Sequence, residues 1–246
     1  MNQYAKGCAG AAWDDIVHSP GWVSRVLLLG LINLVPILNF VVMGYGMRWG
    51  RELLLGRIAP MPQKIFGERT FVNGVFAFVV SIIIGIATYI CCAILGVVPL
   101  LGALAAIAAT IFMDMFAYVM IMRVAIYDDL GAGFDIRNCW EAFKKNPGSL
   151  FCASILPNLI VGAIAGAICL AIIAVFALPL LAILVGTIAA GESVGALVGG
   201  GLSLLTVGIP ALLLVYVVLC FAGGLGTVWT LRAMGHYVAR EAQDWV

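Results

Sequence analysis

Charged residues divide this chain into a small number of long uncharged stretches. All 13 Lys and Arg residues lie outside four stretches of 22, 44, 46 and 39 residues, which are 26–47, 70–113, 146–191 and 193–231. A helix that crosses the roughly 30 Å apolar core of a bilayer needs about 20 consecutive apolar residues. The stretches have room for about six transmembrane or re-entrant helices. The pattern therefore predicts an all-α, polytopic membrane protein, with a single integral membrane domain over residues 1–246.

The composition supports this fold class and excludes others. Hydrophobic residues make up 64% of the chain and charged residues 10%, whereas a soluble domain is roughly 25% charged. The net charge of +1 provides no basic field, so we expect no nucleic-acid partner. Seven cysteines without C-x-x-C spacing and only two histidines indicate neither a disulfide framework nor a metal site. We expect no cofactor, and a lipid bilayer as the surroundings.

The distribution of basic residues predicts the orientation. They occur in four clusters, which lie within residues 6–25, 48–69, 123–145 and 232–240. No basic residue occurs in the connections 33–39, 96–99 and 190–201. The positive-inside rule assigns the clusters to the cytoplasm and the bare connections to the opposite face. The sequence therefore predicts three helical hairpins with both termini in the cytoplasm.

The first hairpin is short. Residues 22–35 form only 14 residues of helix, about 21 Å, which is less than the thickness of the apolar core. We expect a short or re-entrant hairpin that turns at residues 33–39, where Asn33 and Asn39 satisfy part of the irregular backbone. The alternative is one helix over 22–47 that is kinked at Pro36.

The other two hairpins are longer. We expect helices over 71–95 and 100–127, joined by a turn at 96–99, and then helices over 150–176 and 202–234. Two short apolar arms around Glu192 are expected to enter the membrane without crossing it. The number of crossings between residues 149 and 231 stays open by one pair.

Two short segments are predicted to form amphipathic helices in the membrane interface. Their apolar residues share one helical face, and these residues are Ala9, Ala12, Trp13 and Ile16 in one segment and Ile136, Cys139, Trp140 and Phe143 in the other. This pattern is typical of interfacial helices. We expect Trp13, Trp140 and Phe143 to anchor the two segments at the membrane surface.

The same segments belong to a candidate internal repeat. Trp13-Asp14 and Pro20-Gly21 recur as Trp140-Glu141 and Pro147-Gly148 at a constant offset of 127 residues. Each copy closes with Gly-x-x-x-x-Arg-Glu, at Arg51-Glu52 and Arg240-Glu241. A true duplication would be a parallel repeat, because both copies begin and end beside basic clusters, and chance recurrence stays open. The units are 8–55 and 134–241, and the hairpin 70–127 lies between them.

The chain resembles a known family in several of these motifs. They are residues 134–148, Pro20-Gly21-Trp22, Val35-Pro36-Ile37 with Gly44-Tyr45, and Met234-Gly235-His236. Together they are similar to the prokaryotic membrane family catalogued as domain of unknown function 4013. The resemblance covers nearly the whole chain and departs from the family pattern at residues 177–205, where we expect an insertion. It implies a multi-pass protein of a prokaryotic plasma membrane, and the family has no established activity to carry over.

Asp114 is the only carboxylate expected deep in the membrane. It lies near the middle of the helix predicted over 100–127. A charge at the bilayer centre costs at least about 2.5–3.5 kcal/mol unless it faces protein or water, so we expect Asp114 to face inward. Two roles stay open. Asp114 is either a proton carrier or cation ligand, or a neutral side chain that hydrogen-bonds near Asn33 and Asn39.

Two weaker patterns suggest other roles. Residues 191–195 fit the nucleophile pattern G-x-S-x-G with Ser193, but both histidines are predicted on the opposite face, so an intramembrane hydrolase is a remote alternative. Gly162 and Gly166 have the small-x-x-x-small spacing that lets helices approach closely. We expect them to pack within the chain, and a homo-oligomer through this pair is the alternative.

Two function classes remain. The first is a non-enzymatic membrane module or subunit that organises lipids or a membrane or cytoplasmic protein partner, with basic amphipathic segments on anionic headgroups. The second is a small-solute or ion transporter or channel that uses Asp114 beside the broken hairpin. We favour the first and expect no enzymatic activity, because buried polar residues are few.

Overall fold

The computed structural model describes residues 7–67, 69–98, 101–189, 194–242 and 245, and these residues contain helices but no β-strand. The helices are α1 Cys8–Val17, α2 Trp22–Asn33, α3 Asn39–Leu54, α4 Thr70–Leu95, α5 Leu101–Tyr127, α6 Leu130–Gly133, α7 Ile136–Lys145, α8 Pro147–Ser154, α9 Leu156–Ala189 and α10 Val194–Glu241. The predicted all-α fold class is confirmed for this part of the chain.

Among the described residues, four segments are long and apolar enough to cross a membrane. They are Thr70–Leu95, Leu101–Tyr127, Pro147–Ala177 and Gly208–Glu241. Each offers apolar side chains to its surroundings, because its charged residues lie near its ends or, in α5, at Asp114. The protein is therefore a membrane protein, and its described residues include four such helices. The shorter helix α2 is also apolar.

The first hairpin region contains two separate helices. α2 ends at Asn33, a 3₁₀ turn covers Pro36–Leu38, and α3 begins at Asn39. The alternative of one continuous helix kinked at Pro36 is therefore wrong. α10 satisfies part of the broken backbone, because Tyr216 donates a hydrogen bond to the Leu34 carbonyl at 2.7 Å. The Asn33 side chain in turn donates to the Cys220 carbonyl of α10 at 2.8 Å. The 12 residues of α2 span about 18 Å.

The last two helices are longer than the sequence pattern predicts. α9 has 34 residues and α10 has 48, or about 51 and 72 Å of helix. The expected helix end near Phe176 and the expected start near Leu202 are wrong, since the backbone stays helical to Ala189 and again from Val194. A proline does not end either helix, and apolar surroundings favour hydrogen-bonded helix over open backbone. Glu192 lies outside the described residues.

Close contacts through glycine make α3 the centre of the bundle. α3 packs on α4, α5 and α10. A Cβ on Gly44 would lie 1.7 Å from the Thr70 carbonyl oxygen of α4, and a Cβ on Gly50 would lie 2.6 Å from the Leu231 carbonyl oxygen of α10. Any larger residue at these positions would force two backbones apart. The glycines therefore set the helix separation on both faces of α3.

The two predicted interfacial helices differ in their surroundings. In α1, Ala9, Ala12 and Ile16 are buried, mainly by α10, and the Trp13 ring lies 4.7 Å from the Trp229 ring. The apolar face of α1 is thus covered by protein. In α7, Phe143 is buried whereas Trp140 is 41% exposed. The lipid-anchoring roles of Trp13, Trp140 and Phe143 stay predictions.

We expect Gly44→Ala to destabilise the bundle by about 1–3 kcal/mol, because overpacking a tight helix contact costs that much. Gly85→Ala on α4 is the matched control, since a Cβ at Gly85 meets no atom within 4 Å. Thermal unfolding of both purified variants in detergent measures the effect. Equal unfolding temperatures for the two variants would contradict the close α3–α4 contact.

Candidate functional site

A buried ionic cluster lies where α1, α3 and α10 meet. Arg232 of α10 is fully buried, and its Nε and Nη2 atoms both lie 2.7 Å from Oδ2 of Asp15. Nε2 of His236 lies 2.9 Å from the same oxygen. The Arg232 guanidinium also donates to the Trp49 carbonyl at 2.7 Å and lies 4.4 Å from the centre of the Trp49 ring. The cluster therefore ties three helices together.

Asp15 is ionised in this setting. Burial acts against its ionisation, but the hydrogen bond to His236 and the charge of Arg232 hold its pKa below the usual value. A group with a lowered folded-state pKa stabilises the protein above its unfolded pKa, about 3.9 for Asp. That stabilisation is lost as the pH falls through the lower folded-state value. The cluster is thus complete at neutral pH.

Two further ion pairs lie at the same end of the bundle. We call this end the basic side, because arginines lie near the ends of α3, α5 and α10 there. Arg51 pairs with Asp128, which also accepts a hydrogen bond from Asn73 at 3.0 Å. Arg123 pairs with Asp135 at 2.9 Å. These contacts connect α3 and α4 to the end of α5, and α5 to the start of α7. These four charged residues therefore support the fold.

The repeat motifs lie at comparable places in their helices. Gly21 has φ +67° and precedes α2, Pro147 is the first residue of α8, and Pro20 and Gly148 are exposed. Of the closing pairs, Arg51-Glu52 lies near the end of α3 and Arg240-Glu241 ends α10, where Glu241 accepts a hydrogen bond from Asn146 at 3.2 Å. The duplication stays a prediction.

Asp114 is exposed, and it lines a cavity of about 330 Å³. The expectation that it faces inward therefore holds only in that it borders this cavity. The cavity is bounded by α3, α4, α5 and the first turn of α9, and its lining includes Met43, Ser81, Gly85, Tyr118 and Asn158. Asn158 donates a hydrogen bond to the Tyr118 hydroxyl at 3.1 Å. The cavity therefore combines one carboxyl group with several neutral polar groups.

The cavity does not contain the partners that we expected for Asp114. Neither Asn33 nor Asn39 is among its lining residues. Asn33 is committed to α10 through Cys220, and Asn39 is exposed at the start of α3. Of the two roles left open for Asp114, the one in which it closes onto the broken hairpin is therefore wrong, because the Asn33 side chain binds the α10 backbone and Tyr216 of α10 donates to the turn.

The other candidate positions have no clear chemical partner in the structure. Gly162 and Gly166 face open space, with no atom within 4 Å of an added Cβ, so their expected packing within the chain is wrong among the described residues. Ser193 lies outside the described part of the chain. No group of three His, Cys, Asp or Glu residues that could hold a metal occurs among residues that the structure describes.

The fold and the cavity define an all-α membrane protein with a polar site between its apolar helices. The chain belongs to a family of proteins of unknown function, DUF4013, whose model matches residues 28–174. This range includes Asp114, Tyr118 and Asn158, whereas residues 20–22 and 234–236 of the resemblance lie outside it. No curated protein and no solved structure matches the chain.

We expect Arg232→Met to destabilise the protein by about 3–5 kcal/mol, because it leaves the buried Asp15 without its cation. α1 should then separate from α10 and expose Cys8, which is 1% exposed in the native structure. Maleimide labelling of Cys8, followed by mass spectrometry of its peptide, measures this exposure. Arg137→Met is the control, since the Arg137 side chain is 89% exposed. Unchanged Cys8 labelling in Arg232→Met would contradict the conclusion that the ionic cluster holds α1 against α10.

Proposed function

We propose that the protein is a non-enzymatic module of a prokaryotic plasma membrane that organises lipids or a partner protein complex on its basic side. The observation that carries the proposal is the outer face of α7. This helix is held firmly by the rest of the protein, yet it presents basic and aromatic side chains outward. The positive-inside pattern supports a cytoplasmic position for this face and for both termini.

The inner face of α7 is fixed by several contacts. The Phe143 ring lies 4.9 Å from the Phe112 ring of α5, and the Tyr237 hydroxyl of α10 donates to the Ala142 carbonyl at 2.7 Å. Asp135 caps the helix by accepting from the Asn138 amide. Because α5 and α10 both hold it, α7 keeps one orientation without an external partner.

The outer face of α7 carries side chains that suit binding to a negatively charged surface. Arg137, Lys144, Ile136 and Trp140 are all exposed, and the Arg137–Glu141 pair at 3.5 Å is exposed too, so it contributes little. Cationic groups beside an aromatic ring suit anionic headgroups or an acidic protein surface. The Asp15–Arg232, Arg51–Asp128 and Arg123–Asp135 pairs, in contrast, hold elements of the fold together, which supports a binding role for the charges of α7 over a catalytic one.

We expect the double variant Arg137→Glu/Lys144→Glu to lose its bound lipid or partner protein. Two negative charges in place of two positive ones are repelled by an anionic surface. Native mass spectrometry of the gently solubilised protein should show retained anionic phospholipid or a stoichiometric protein in the wild type and much less in the variant. Arg57→Glu/Lys64→Glu, at two exposed positions between α3 and α4, is the matched control for the same charge reversal away from α7. Identical retention in wild type and double variant would overturn this assignment of α7.

A second candidate function is transport of a small solute or ion, and the Asp114 cavity favours it. Three of the helices that line the cavity, α4, α5 and α9, are long and apolar enough to span a membrane, and Asp114 is exposed. A membrane-embedded ionisable residue that faces a cavity is a common feature of solute pathways. Met43 of α3 also lines this cavity, and α3 follows a break in the backbone, a feature that discontinuous helices share in transporters.

If the protein transports a cation through this cavity, Asp114→Asn should lower the flux in proteoliposomes at least about tenfold, the loss expected for one charged contact. Glu141→Gln, which removes an exposed carboxylate of α7, should leave the flux unchanged. A flux that is equal in wild type and Asp114→Asn would remove the cavity from the transport path.

A further inference from the structure

The Asp114 cavity has the size of a small-molecule site. Its volume of about 330 Å³ corresponds to roughly eleven water molecules at about 30 Å³ each, and ligand pockets begin at about 300 Å³. A partner helix is about 10–12 Å across and does not fit in this space. The natural occupant is therefore a compact molecule and not a transmembrane segment.

The charge of the cavity restricts the occupant further. Asp114 is its acidic residue, and no Lys, Arg or His lines it. Among the described residues, no salt bridge involves Asp114. The Ser81 hydroxyl donates to the Ala77 carbonyl at 2.9 Å, so its oxygen presents lone pairs. The cavity therefore contains one acid without an ion pair. Its neutral polar groups include the Ser81 oxygen as an acceptor and the Tyr118 hydroxyl, which accepts from Asn158 at 3.1 Å and keeps its own hydrogen to donate. With no basic residue on its lining, the cavity favours a ligand that carries a positive charge.

The remaining lining is apolar. Met43, Ile84 and Leu159 contribute hydrocarbon and thioether surface, and α4, α5 and α9 are themselves apolar. A small inorganic cation would leave this surface in contact with water, at a cost of about 25 cal/mol per Å² of apolar area. A ligand with a compact apolar body covers the surface and reaches Asp114 with its charged end.

We propose that the cavity binds a small amphiphilic monocation, an ammonium group attached to a compact apolar body. The ammonium lies against Asp114, and the apolar body lies against Ile84 and Leu159. This inference is independent of the α7 surface, and it rests on the same cavity as the transport candidate. The proposal concerns binding alone and holds whether or not the protein transports the cation. The absence of a flux in proteoliposomes would therefore not contradict it.

The test uses 2-phenylethylamine with full-length protein in detergent, and the uncharged 2-phenylethanol as the matched ligand. We expect the amine to raise the unfolding temperature of wild type and of Glu141→Gln in a saturable way, and the alcohol to have little effect. Asp114→Asn should weaken amine binding roughly ten- to hundredfold. Equal stabilisation by amine and alcohol, unchanged binding in Asp114→Asn, or no stabilisation of wild type would each overturn the proposal.

A second pair of variants tests the cavity without changing its charge. Gly85 lines the cavity, and an added Cβ meets no atom within 4 Å, so Gly85→Leu should fold and fill the space. Gly208→Leu adds the same side chain at another open position on α10. We expect Gly85→Leu to lose amine binding and Gly208→Leu to retain it. Binding that survives in Gly85→Leu would place the ligand elsewhere and overturn the assignment.

Discussion

The buried Arg232 guanidinium is the interaction on which the basic side of this protein depends. A fully buried cation is tolerated only when its charge and donors are matched. Asp15 supplies the compensating negative charge. The Trp49 carbonyl accepts a further hydrogen bond, and the Trp49 ring packs against the guanidinium. Since these partners come from α1 and α3, burial of one side chain of α10 determines how three helices meet. The basic surface of α7 is then presented on a rigid support.

Inside the bundle, glycines let the backbones of neighbouring helices come into direct contact. Without a hydrophobic drive between helices in lipid, close packing and hydrogen bonds hold them together. Gly44 and Gly50 let α3 approach α4 and α10 within van der Waals distance of carbonyl groups. α3 thereby joins the α4–α5 pair to the α9–α10 pair. The Asp114 cavity lies between the α4–α5 pair and the start of α9, with Met43 of α3 on its lining.

Much of the fold could be predicted from residue patterns. The central pair of helices is one example, since α4 and α5 match the predicted segments to within one residue at each described end. The break at Pro36 is another. The long helices α9 and α10 were missed, because prolines and glycines in the sequence indicate interruptions that continuous apolar helix tolerates. The Asp15–Arg232–His236 cluster was missed as well. Its one sequence signal is that Arg232 follows a 39-residue uncharged stretch.

The sequence alone determined that this chain is an all-α membrane protein and that Asp114 is an unusual residue, because hydropathy and charge are local properties of consecutive residues. Only the tertiary structure decided what Asp114 faces. Tyr118 lies one helical turn away and is its neighbour by periodicity, but Asn158 and Met43 belong to other helices. Their meeting depends on helix crossings set by glycine contacts and buried ion pairs between residues more than 200 positions apart, which no local pattern encodes.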